Sequence, residues 1–516
     1  MARIVLTADH TLMGDYWEIP LLSFAGCVPV NFIPSFIFNL IERPIPHEHG
    51  RAKQSPYGLR KVEAALLKGG YRREDVLVAH PWHLDYAIDD DTRIIGVHAM
   101  DPMGFGPVTM MFTHGGKYTP YTKKRFMELI DTINGLRNGK SKLVVGGPGA
   151  WQIAHLDGMA ERLKIDHVIM GEVEHRICEI FSKIEEGDLP EVVRIRDAPR
   201  VDQIPEIVGP SLHGLVEAMR GCGRNCRFCD PNMRRARHIP LDKILREVRV
   251  NASNGVGNCW LHSEDIFLYG FEDSRHLYPN RDAVLELFRR IRNEKGVTHT
   301  NPTHGTVAPV VADPILLKKA SEILRASPTD WIGIQPGMET GSPKLIKRYM
   351  ERKCLPFSPE EWQEIMIEGT RIFNENYWFP AYTLIVGLPG ETEDDAWETV
   401  RLLNRLEKLD DVLGPKSHFT TSPLAFIPMG ALTGEEFFDV KEMMNEARFQ
   451  IIYKSFRRVV KEFIRSPMIM PKMNPFLKLL FRVAGKLGME YMLRAIERWG
   501  MKLGYDPDKA KDYSFL

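Results

Sequence analysis

The sequence has no surplus of either charge, since its 68 lysine and arginine residues equal its 68 aspartate and glutamate residues. A neutral chain has no overall field that attracts nucleic acid or anionic lipid, so we expect no nucleic-acid partner. Cysteine is scarce, with seven residues in 516. Three of the seven stand together, which excludes a disulfide framework and is typical of a reducing compartment. We therefore expect a cytoplasmic protein.

The sequence also lacks a long uninterrupted apolar run. Residues 19–41 carry no charge, but Pro20, Pro29 and Pro34 interrupt them. A membrane span needs about 20 consecutive apolar residues. We predict instead a buried loop and helix that line a cofactor cavity, and no integral membrane span. The N-terminal residues predict a first β-strand rather than a signal peptide.

The length of 516 residues suggests about three domains. Short apolar runs alternate with helical patterns at the start of the chain, and a linker rich in proline and charge follows near residues 185–211. A second alternating series has six predicted strands. The sequence therefore predicts an α/β protein with a Rossmann-like domain and linker (1–200), a partial (β/α)6 barrel (205–430) and a C-terminal helical domain (431–516).

The most informative stretch is Cys222-Gly-Arg-Asn-Cys226-Arg-Phe-Cys229, with the spacing CxxxCxxC. Thiolates suit iron–sulfur clusters, zinc and copper(I). Structural zinc is closed by four ligands, and iron–sulfur clusters usually take four cysteines. Three cysteines therefore leave one metal position open for chemistry. The alternative is a small zinc knuckle, for which His238 is the nearest fourth ligand.

This motif and the strand ends that follow it resemble the radical S-adenosylmethionine (SAM) superfamily. The resemblance implies a [4Fe-4S] cluster on Cys222, Cys226 and Cys229, whose open iron chelates SAM. It also implies an aromatic ring beside the adenine, an acidic pair for the methionine ammonium, a glutamate at a strand end and a glycine-rich turn behind the adenine. The implied SAM-binding residues are Phe228, Glu264, Asp265, Glu339, Gly387 and Pro389.

The sequence leaves the choice between Glu264 and Asp265 open. A buried ammonium needs a charged partner, and either carboxylate supplies one. An exposed acidic turn is the alternative interpretation.

Glycine-rich loops follow predicted strands of the first domain, where ligands of open α/β sheets bind. Gly146-Gly-Pro148 and Gly171-Glu-Val-Glu174, upstream of a radical SAM motif, resemble the cobalamin-binding domain of radical SAM methyltransferases and cyclases. The resemblance implies that these loops hold the nucleotide tail of cobalamin, and that the loops after the first and third strands flank the corrin. The implied cobalamin-binding residues are His10, Thr11, His98, Met100, Gly104, Gly146, Gly147, Pro148, Gly171 and Glu172.

The first loop departs from the family's DxHxxG motif. It reads Asp9-His10-Thr11-Leu12-Met13-Gly14, so the spacing differs by one on both sides of the histidine. Whether His10 is a cobalt ligand or a polar loop residue stays open. His98 is equally compatible with facing the corrin or with a hydrogen bond in the core.

The resemblance implies a cobalamin-dependent radical SAM methyltransferase. Such enzymes use one SAM to methylate cobalamin and cleave a second to methionine and a 5′-deoxyadenosyl radical, so that an unactivated carbon receives the methyl group. We assign no acid–base residue. A reductant such as ferredoxin or flavodoxin is expected, and the substrate is expected to be a peptide or protein. One archaeal branch of the family methylates a glutamine of methyl-coenzyme M reductase.

Three alternatives remain. A cobalamin-binding radical SAM cyclase or rearrangement enzyme has the same two domains. A non-enzymatic iron–sulfur sensor or scaffold would have no use for the acidic and glycine-rich strand ends. A tRNA methylthiotransferase would need three further cysteines upstream and a basic RNA-binding domain, and neither is evident.

Overall fold

The computed structural model describes residues 2–465 and 475–509. Parallel sheets alternate with helices, which confirms the predicted α/β class. The chain separates into two compact units, and the three predicted domain boundaries stay a prediction. The first unit comprises Met1–Val216, Asp242–Cys259 and Glu294–Val297, and the second comprises Glu217–Leu241, Trp260–Asn293 and Thr298–Leu516.

A six-stranded sheet forms the centre of the first unit. The strands of this part of the chain are β1 (Ile4–Ala8), β2 (His47–Glu48), β3 (Arg51–Ala52), β4 (Val76–Val78), β5 (Ile94–His98), β6 (Lys142–Gly146), β7 (His167–Met170) and β8 (Val192–Arg194). The sheet has the order β4-β1-β5-β6-β7-β8, and all its neighbouring strands are parallel. The prediction of a linker near residues 185–211 is wrong in part, because β8 lies within that range and pairs with β7.

Helices cover both faces of this sheet, and two buried apolar clusters lie against it. The helices of this part of the chain are α1 (Pro20–Ser23), α2 (Ser35–Glu42), α3 (Tyr57–Lys68), α4 (Pro107–Phe112), α5 (Tyr121–Leu136), α6 (Ala150–Ala154), α7 (Met159–Arg162), α8 (Ile177–Glu186) and α9 (Leu241–Ser253), not all of which contact the sheet. Within the described ranges, no helix is both long enough and apolar enough to cross a membrane.

Helix α2 shows that the predicted burial of residues 19–41 is wrong in part. Phe38 is buried and its ring stacks on Tyr121 at 3.7 Å. Phe36 and Leu40 are 75% and 70% exposed. The helix therefore turns one narrow face towards the core and presents its other apolar side chains to solvent.

The second strand series follows the order of the chain. Its strands are β9 (Leu215–Glu217), β10 (Met219–Arg220), β11 (Arg237–His238), β12 (Asn258–His262), β13 (His299–Pro302), β14 (His304–Gly305), β15 (Ile332–Glu339), β16 (Trp378–Val386) and β17 (Thr420–Ala425). One sheet has the order β13-β12-β9 and the next β14-β15-β16-β17. The backbone of Thr303 links them, because its amide donates to Leu261 and its carbonyl accepts from Gln335. The strands thus follow one another in chain order within two sheets, and the partial (β/α)6 barrel stays a prediction.

Helices connect these strands, and short-range capping explains where several begin. Ser342 accepts a hydrogen bond from Leu345 at the start of α13, and Thr392 and Asp395 form a reciprocal capping box at the start of α15. The helices are α10 (Arg281–Arg292), α11 (Ala308–Ala312), α12 (Pro314–Leu324), α13 (Pro343–Met350), α14 (Trp362–Glu375), α15 (Glu393–Glu407), α16 (Leu409–Leu413), α17 (Glu446–Arg465) and α18 (Pro475–Lys502).

Two long helices, α17 and α18, occupy most of the described residues after 445. Helix α17 packs against α15 and β17, and α18 packs against α17. Gly500 leaves the space that the Phe449 ring fills, since a Cβ there would lie 2.1 Å from that ring.

Candidate active site

The three motif cysteines lie in a loop that a two-residue ladder closes. We call residues 221–236 the cysteine loop. It leaves β10 and returns in β11, which pairs antiparallel with β10 through Met219–His238 and Arg220–Arg237. Gly221, Gly223 and Asn225 have φ values of 71°, 73° and 56°, a left-handed conformation that suits glycine and asparagine. The loop therefore turns sharply at alternate positions between the cysteines.

Segments distant in sequence hold the cysteine loop in place. The Arg227 amide donates to the Tyr349 carbonyl at 2.9 Å, and the Arg227 carbonyl accepts from the Ala431 amide at 2.7 Å. The Gly430 amide donates to Asp230 Oδ1 at 2.9 Å. A Cβ at Gly430 would lie 2.7 Å from the Arg227 carbonyl oxygen, so glycine permits this close approach.

The cysteine thiols are close to one another and sheltered. Cys222 and Cys226 are buried and Cys229 is half-buried. Burial raises the pKa of Cys222 to about 12, with Arg224 opposing this effect. Burial also raises the pKa of Cys226, and the Cys222 and Cys229 thiols raise it further because like charges would repel. The cysteines can therefore bind metal as thiolates only where the positive charge of the metal stabilises the deprotonated sulfur.

The zinc-knuckle alternative depends on His238. Its Nδ1 accepts a hydrogen bond from the Gly270 amide at 3.2 Å, and its ring contacts Tyr269 and Phe271. Across residues 2–465 and 475–509, no three histidine, cysteine, aspartate or glutamate side chains are arranged to hold a single metal ion.

The two acidic residues after β12 have different surroundings. Asp265 is fully buried; it accepts from Arg224 Nε at 3.0 Å and from the amide and hydroxyl of Thr306 at 3.0 and 2.5 Å. Its carboxylate is therefore fully used within the protein. Glu264 and Asp265 both stay predicted SAM contacts, but they differ in the hydrogen bonds that the protein gives them.

Glu264 has unused bonding capacity. Its Oε2 is buried and has no hydrogen-bond partner. Burial raises the pKa of Glu264, which the His262 ring and the Gly221 amide oppose only in part. A buried carboxylate oxygen without a hydrogen-bond donor is costly, and a bound ammonium would offset that cost.

Arg224, inside the cysteine motif, joins this acidic pair to a third segment. Its side chain is buried, and its Nη1 donates to the carbonyls of Arg352 and Lys353 at 3.0 and 3.1 Å. Arg352 Nε donates back to the Gly223 carbonyl at 3.1 Å. The cysteine loop is thus bound to the segment that follows α13.

Glu339, the predicted strand-end glutamate, is the last residue of β15. It is buried with a φ of 63°, next to a register shift between β15 and β16. Its Oε1 accepts from Lys353 Nζ at 2.5 Å and its Oε2 from Thr383 Oγ1 at 3.1 Å. The carboxylate is therefore oriented by two donors.

The predicted glycine turn comprises residues 387–391. Gly387 has a φ of 85°, and a Cβ there would lie 2.0 Å from the Phe438 ring. The Pro389 carbonyl accepts from the Tyr349 hydroxyl at 2.5 Å. Arg448 of α17 donates to the Glu391 carboxylate at 2.7 Å and to its carbonyl at 3.0 Å. Phe228, the predicted adenine neighbour, is half-buried in the cysteine loop.

The predicted cobalamin-binding residues of the first unit lie at one edge of its sheet. Ala8, His98 and Gly146 are aligned side by side on β1, β5 and β6. His10 and Thr11 follow β1, Met100 and Gly104 follow β5, and Gly171 and Glu172 follow β7. Because these strands are parallel, all the loops emerge at their carboxyl ends, where ligands of such sheets bind.

Neighbouring atoms come so close to the backbone at this edge of the sheet that only glycine fits there. Gly147 has a φ of 96°, and a Cβ there would lie 2.7 Å from both the Ala99 carbonyl and His98 Nδ1. Gly147 and Pro148 are nevertheless exposed on their other side, as is Gly171. The edge thus offers backbone and proline surface to a ligand.

The histidines of this edge are neutral. Thr11 caps the first loop through Asp9 Oδ1, to which its amide donates at 2.9 Å. Both ring nitrogens of His10 are buried without a hydrogen-bond partner, and burial lowers its pKa to about 3. Burial lowers the pKa of His98 to about 4. Neutral imidazole is the form that ligates metals.

Several residues that shape the site carry no sequence signal of their own. These residues are Arg224, Thr306 and Arg448, and each contacts a side chain that lies 40 residues or more away in sequence. Arg224 is one of the variable positions of CxxxCxxC.

Three comparisons with known proteins bear on this site. Residues 216–403 match the Radical SAM superfamily. A tRNA-2-methylthio-N(6)-dimethylallyladenosine synthase of Geobacter sulfurreducens is 26% identical over 287 residues, covering 54% of this chain and 60% of that enzyme. A protein of the same name from Pseudomonas syringae pv. syringae is 24% identical over 330 residues, covering 61% of this chain and 69% of that enzyme. The chain thus spans less than two thirds of the Geobacter enzyme.

A solved structure has a similar fold. It is the radical S-adenosylmethionine methyltransferase TsrM from Kitasatospora setae, with its tryptophan substrate and the SAM analogue aza-SAM bound. The TM-score is 0.51 at 16% sequence identity, and the match covers 84% of this chain and 75% of TsrM. Residues 216–403 thus match the predicted superfamily, and a radical SAM domain implies an enzyme with a [4Fe-4S] cluster and SAM.

Proposed function

We propose that this radical SAM enzyme is a cobalamin-dependent C-methyltransferase. The cysteine loop and its surrounding strand ends support SAM binding, and the glycine-rich sheet edge of the first unit supports a corrinoid. The fold of a known SAM-dependent methyltransferase over 84% of the chain supports methyl transfer.

In the proposed SAM site, each residue of this chain has a separate task. Cys222, Cys226 and Cys229 hold the cluster, which when bound supplies one electron to SAM. Glu264 accepts the methionine ammonium on its Oε2, and Glu339 lines the pocket at the end of β15. Phe228 and the glycine turn, with Gly387 and Pro389, lie beside the adenine.

In the proposed corrinoid site, the chain binds and orients. Gly146, Gly147 and Pro148 line the nucleotide tail with Gly171 and Glu172, because these positions border the sheet edge with little side-chain bulk. His10, Thr11, His98, Met100 and Gly104 flank the ring. Cobalamin, when bound, supplies the methyl group that SAM has provided.

The observation that carries the proposal is the buried Glu264 Oε2 without a partner, beside a loop with three sheltered thiols. Asp265 gives a contrast within the same turn, since protein donors occupy its carboxylate. A site that leaves one oxygen of an acid without a donor, and satisfies the neighbouring acid, is suited to a cationic ligand.

Anaerobic reconstitution tests the proposal. The wild-type chain should hold about four irons, bind hydroxocobalamin with a corrinoid absorption spectrum, and form 5′-deoxyadenosine from SAM under dithionite. The Cys222→Ala, Cys226→Ala, Cys229→Ala triple variant should lose all iron-dependent cleavage, whereas a Cys259→Ala control should keep it. Iron uptake without corrinoid binding would overturn the methyltransferase assignment and leave the radical SAM assignment in place.

Product counting separates the alternatives. A methyltransferase forms S-adenosylhomocysteine as well as 5′-deoxyadenosine, whereas a radical cyclase or rearrangement enzyme forms no S-adenosylhomocysteine. A non-enzymatic sensor or scaffold forms neither.

The identity to tRNA methylthiotransferases makes that activity the second candidate. Two cysteines, Cys27 and Cys178, precede Cys222 in this sequence. They are one thiol short of the three further cysteines that such enzymes need. Methylthio-adenosine appearing in tRNA after incubation with the reduced protein would favour this candidate over ours.

For the substrate, we propose a peptide or protein in the cytoplasm, with ferredoxin or flavodoxin as the electron source. A glutamine of methyl-coenzyme M reductase is the specific candidate. A gain of 14 Da in the corresponding peptide after incubation, by mass spectrometry, is the expected result, and an unchanged mass would remove this substrate.

A further inference from the structure

We propose that helix α18 (Pro475–Lys502) attaches the protein to the surface of a membrane that contains anionic lipids. The helix lies along the headgroups and does not cross the bilayer. This inference goes beyond the proposed function and does not depend on it, because it rests on the exposed side of a helix outside the candidate active site.

An apolar stripe runs along the side of α18 that faces solvent. Residues four apart are neighbours on the surface of a helix, and such steps join the members of the stripe, which are Leu479, Val483, Leu487 and Tyr491. They are 61%, 50%, 62% and 64% exposed. With a rise of 1.5 Å per residue, the stripe is about 18 Å long. A contiguous exposed apolar surface of this kind indicates a binding surface.

Another side of α18 is packed against α17. A Cβ at Gly485 would lie 2.3 Å from the Phe463 ring, and a Cβ at Gly500 would lie 2.1 Å from the Phe449 ring. The Trp499 ring also contacts Phe449, with the ring centroids 5.9 Å apart. These contacts hold the helix to the protein, so the stripe is left over for a partner.

Basic residues predominate among the charged residues of α18. The six basic residues are Lys478, Arg482, Lys486, Arg494, Arg498 and Lys502, and the two acidic residues are Glu490 and Glu497. Contacts within the protein engage both acids. Glu497 accepts a hydrogen bond from the Tyr453 hydroxyl at 2.7 Å, and Glu490 lies 3.8 Å from the Lys486 ammonium. The helix therefore has a local excess of positive charge.

Three exposed basic side chains adjoin the stripe. Arg482, Lys486 and Arg494 are exposed, and each follows a member of the stripe by three positions. Residues three apart are also neighbours on a helix. Apolar and cationic groups thus share one side of α18. This combination suits the boundary of an anionic bilayer, where apolar side chains enter the acyl region and the long basic side chains reach the headgroup phosphates.

The neutrality of the whole chain does not oppose this attachment. At physiological ionic strength charges act over about 8 Å, so a surface responds to the charges of α18 rather than to the sum over the chain. A nucleic acid would be attracted to the basic residues but would leave the apolar stripe uncovered. In a dimer through this face, the basic residues of the two copies would repel each other. An anionic lipid surface satisfies both kinds of group.

Cosedimentation with lipid vesicles tests the inference on the full-length protein. The wild type should sediment with vesicles of phosphatidylcholine and phosphatidylserine, and should stay in solution with vesicles of phosphatidylcholine alone. Added salt should weaken the binding, because it screens the attraction between the basic residues and the headgroups. The same measurement with tRNA in place of vesicles, and analytical ultracentrifugation of the protein alone, test the two other partners.

Two substitutions within α18 separate the apolar and the charged contributions. Val483→Glu should weaken vesicle binding about tenfold or more, because a valine no longer enters the acyl region. Ile315→Glu, at the start of α12, is the matched control, since Ile315 and Val483 are both 50% exposed. Arg494→Gln removes one cation near the headgroups and should weaken binding about fivefold. Val483→Leu and Arg494→Lys should keep the wild-type affinity.

Urea unfolding shows whether each variant is folded, and Arg494→Gln decides alone should Val483→Glu not fold. A wild-type protein that binds neither kind of vesicle, or both equally, would overturn the inference. So would unchanged binding in Val483→Glu and Arg494→Gln, or an equal loss in Ile315→Glu. A dimer that Val483→Glu dissociates would assign the face to a second copy of the chain. Binding of tRNA without binding of vesicles would assign it to nucleic acid, and either result would overturn the inference.

Discussion

Replacing Glu264 and Asp265 one at a time should separate a ligand contact from a structural one. Glu264→Gln removes a buried carboxylate that has no protein partner on Oε2. A hydrogen bond to a charged group contributes about 1.5–3 kcal/mol, so SAM should bind roughly 10- to 150-fold more weakly. Because no protein contact of Oε2 is lost, the free energy of unfolding should stay close to that of the wild type.

Asp265→Asn should do the reverse. Asp265 accepts from Arg224 and from Thr306 in two places, and the Arg224 side chain is buried. An uncompensated buried guanidinium costs about 3–5 kcal/mol. The expected result is a large loss of unfolding free energy, with bound iron falling because Arg224 holds the cysteine loop.

Two assays on the same preparations measure both effects. Equilibrium dialysis of SAM against reconstituted, unreduced protein gives the binding change, and urea unfolding gives the stability change. Glu272→Gln, at an exposed acid in the same unit, is the control for both. Equal SAM affinity in Glu264→Gln and the wild type would refute the assignment of Oε2 to the ammonium. A stable, iron-replete Asp265→Asn would refute the structural role of Asp265.

Further outcomes follow from other buried groups. Burial lowers the pKa of His98 from 6.5 to about 4. Above pH 6.5 His98 is neutral in both the folded and the unfolded protein, so its full contribution to the free energy of unfolding is present there. As the pH drops from 6.5 towards 4, the unfolded protein binds a proton first, and the free energy of unfolding falls by about 1.4 kcal/mol per pH unit. His98→Gln should flatten this slope in urea unfolding, and replacing the exposed His155 should leave it unchanged. Arg448→Met leaves a buried carboxylate of the glycine turn unpaired and should cost about 3–5 kcal/mol, against about 0–1 kcal/mol for the partly exposed Arg457→Met; equal costs would contradict this reasoning. Gly430→Val should lower bound iron, because its Cβ would meet a carbonyl of the cysteine loop at 2.7 Å; full iron content would show that the loop adapts.

The sequence predicted the strands of both series because their apolar runs are short and end in recognisable turns. Strand β8 was not predicted, because its three residues lie in a charged, proline-rich stretch and give no periodic signal. Their extended conformation depends on pairing with β7. The exposed apolar face of α2 was not predicted, for a related reason. An apolar run predicts burial on average, and only the neighbouring elements determine which of its faces is covered.

The candidate site shows the same limit. The acidic pair after β12 was predicted from its position at a strand end. The sequence did not predict that protein donors satisfy Asp265 while Glu264 Oε2 has none, because Arg224 and Thr306 each lie 41 residues from Asp265. Lys353 was missed because nothing in its local sequence indicates a buried lysine.

The hydrogen bonds from Gly430 and Ala431 to the cysteine loop determine when during synthesis this loop can take its final shape. Gly430 contacts Asp230 across 200 positions of sequence. A nascent chain exposes its three thiols on the ribosome long before the segment that shapes their loop has been synthesised. Delivery of iron and sulfide to a correctly formed loop therefore has to wait until Ala431 has left the exit tunnel, so cofactor loading is a late event in the biogenesis of this enzyme.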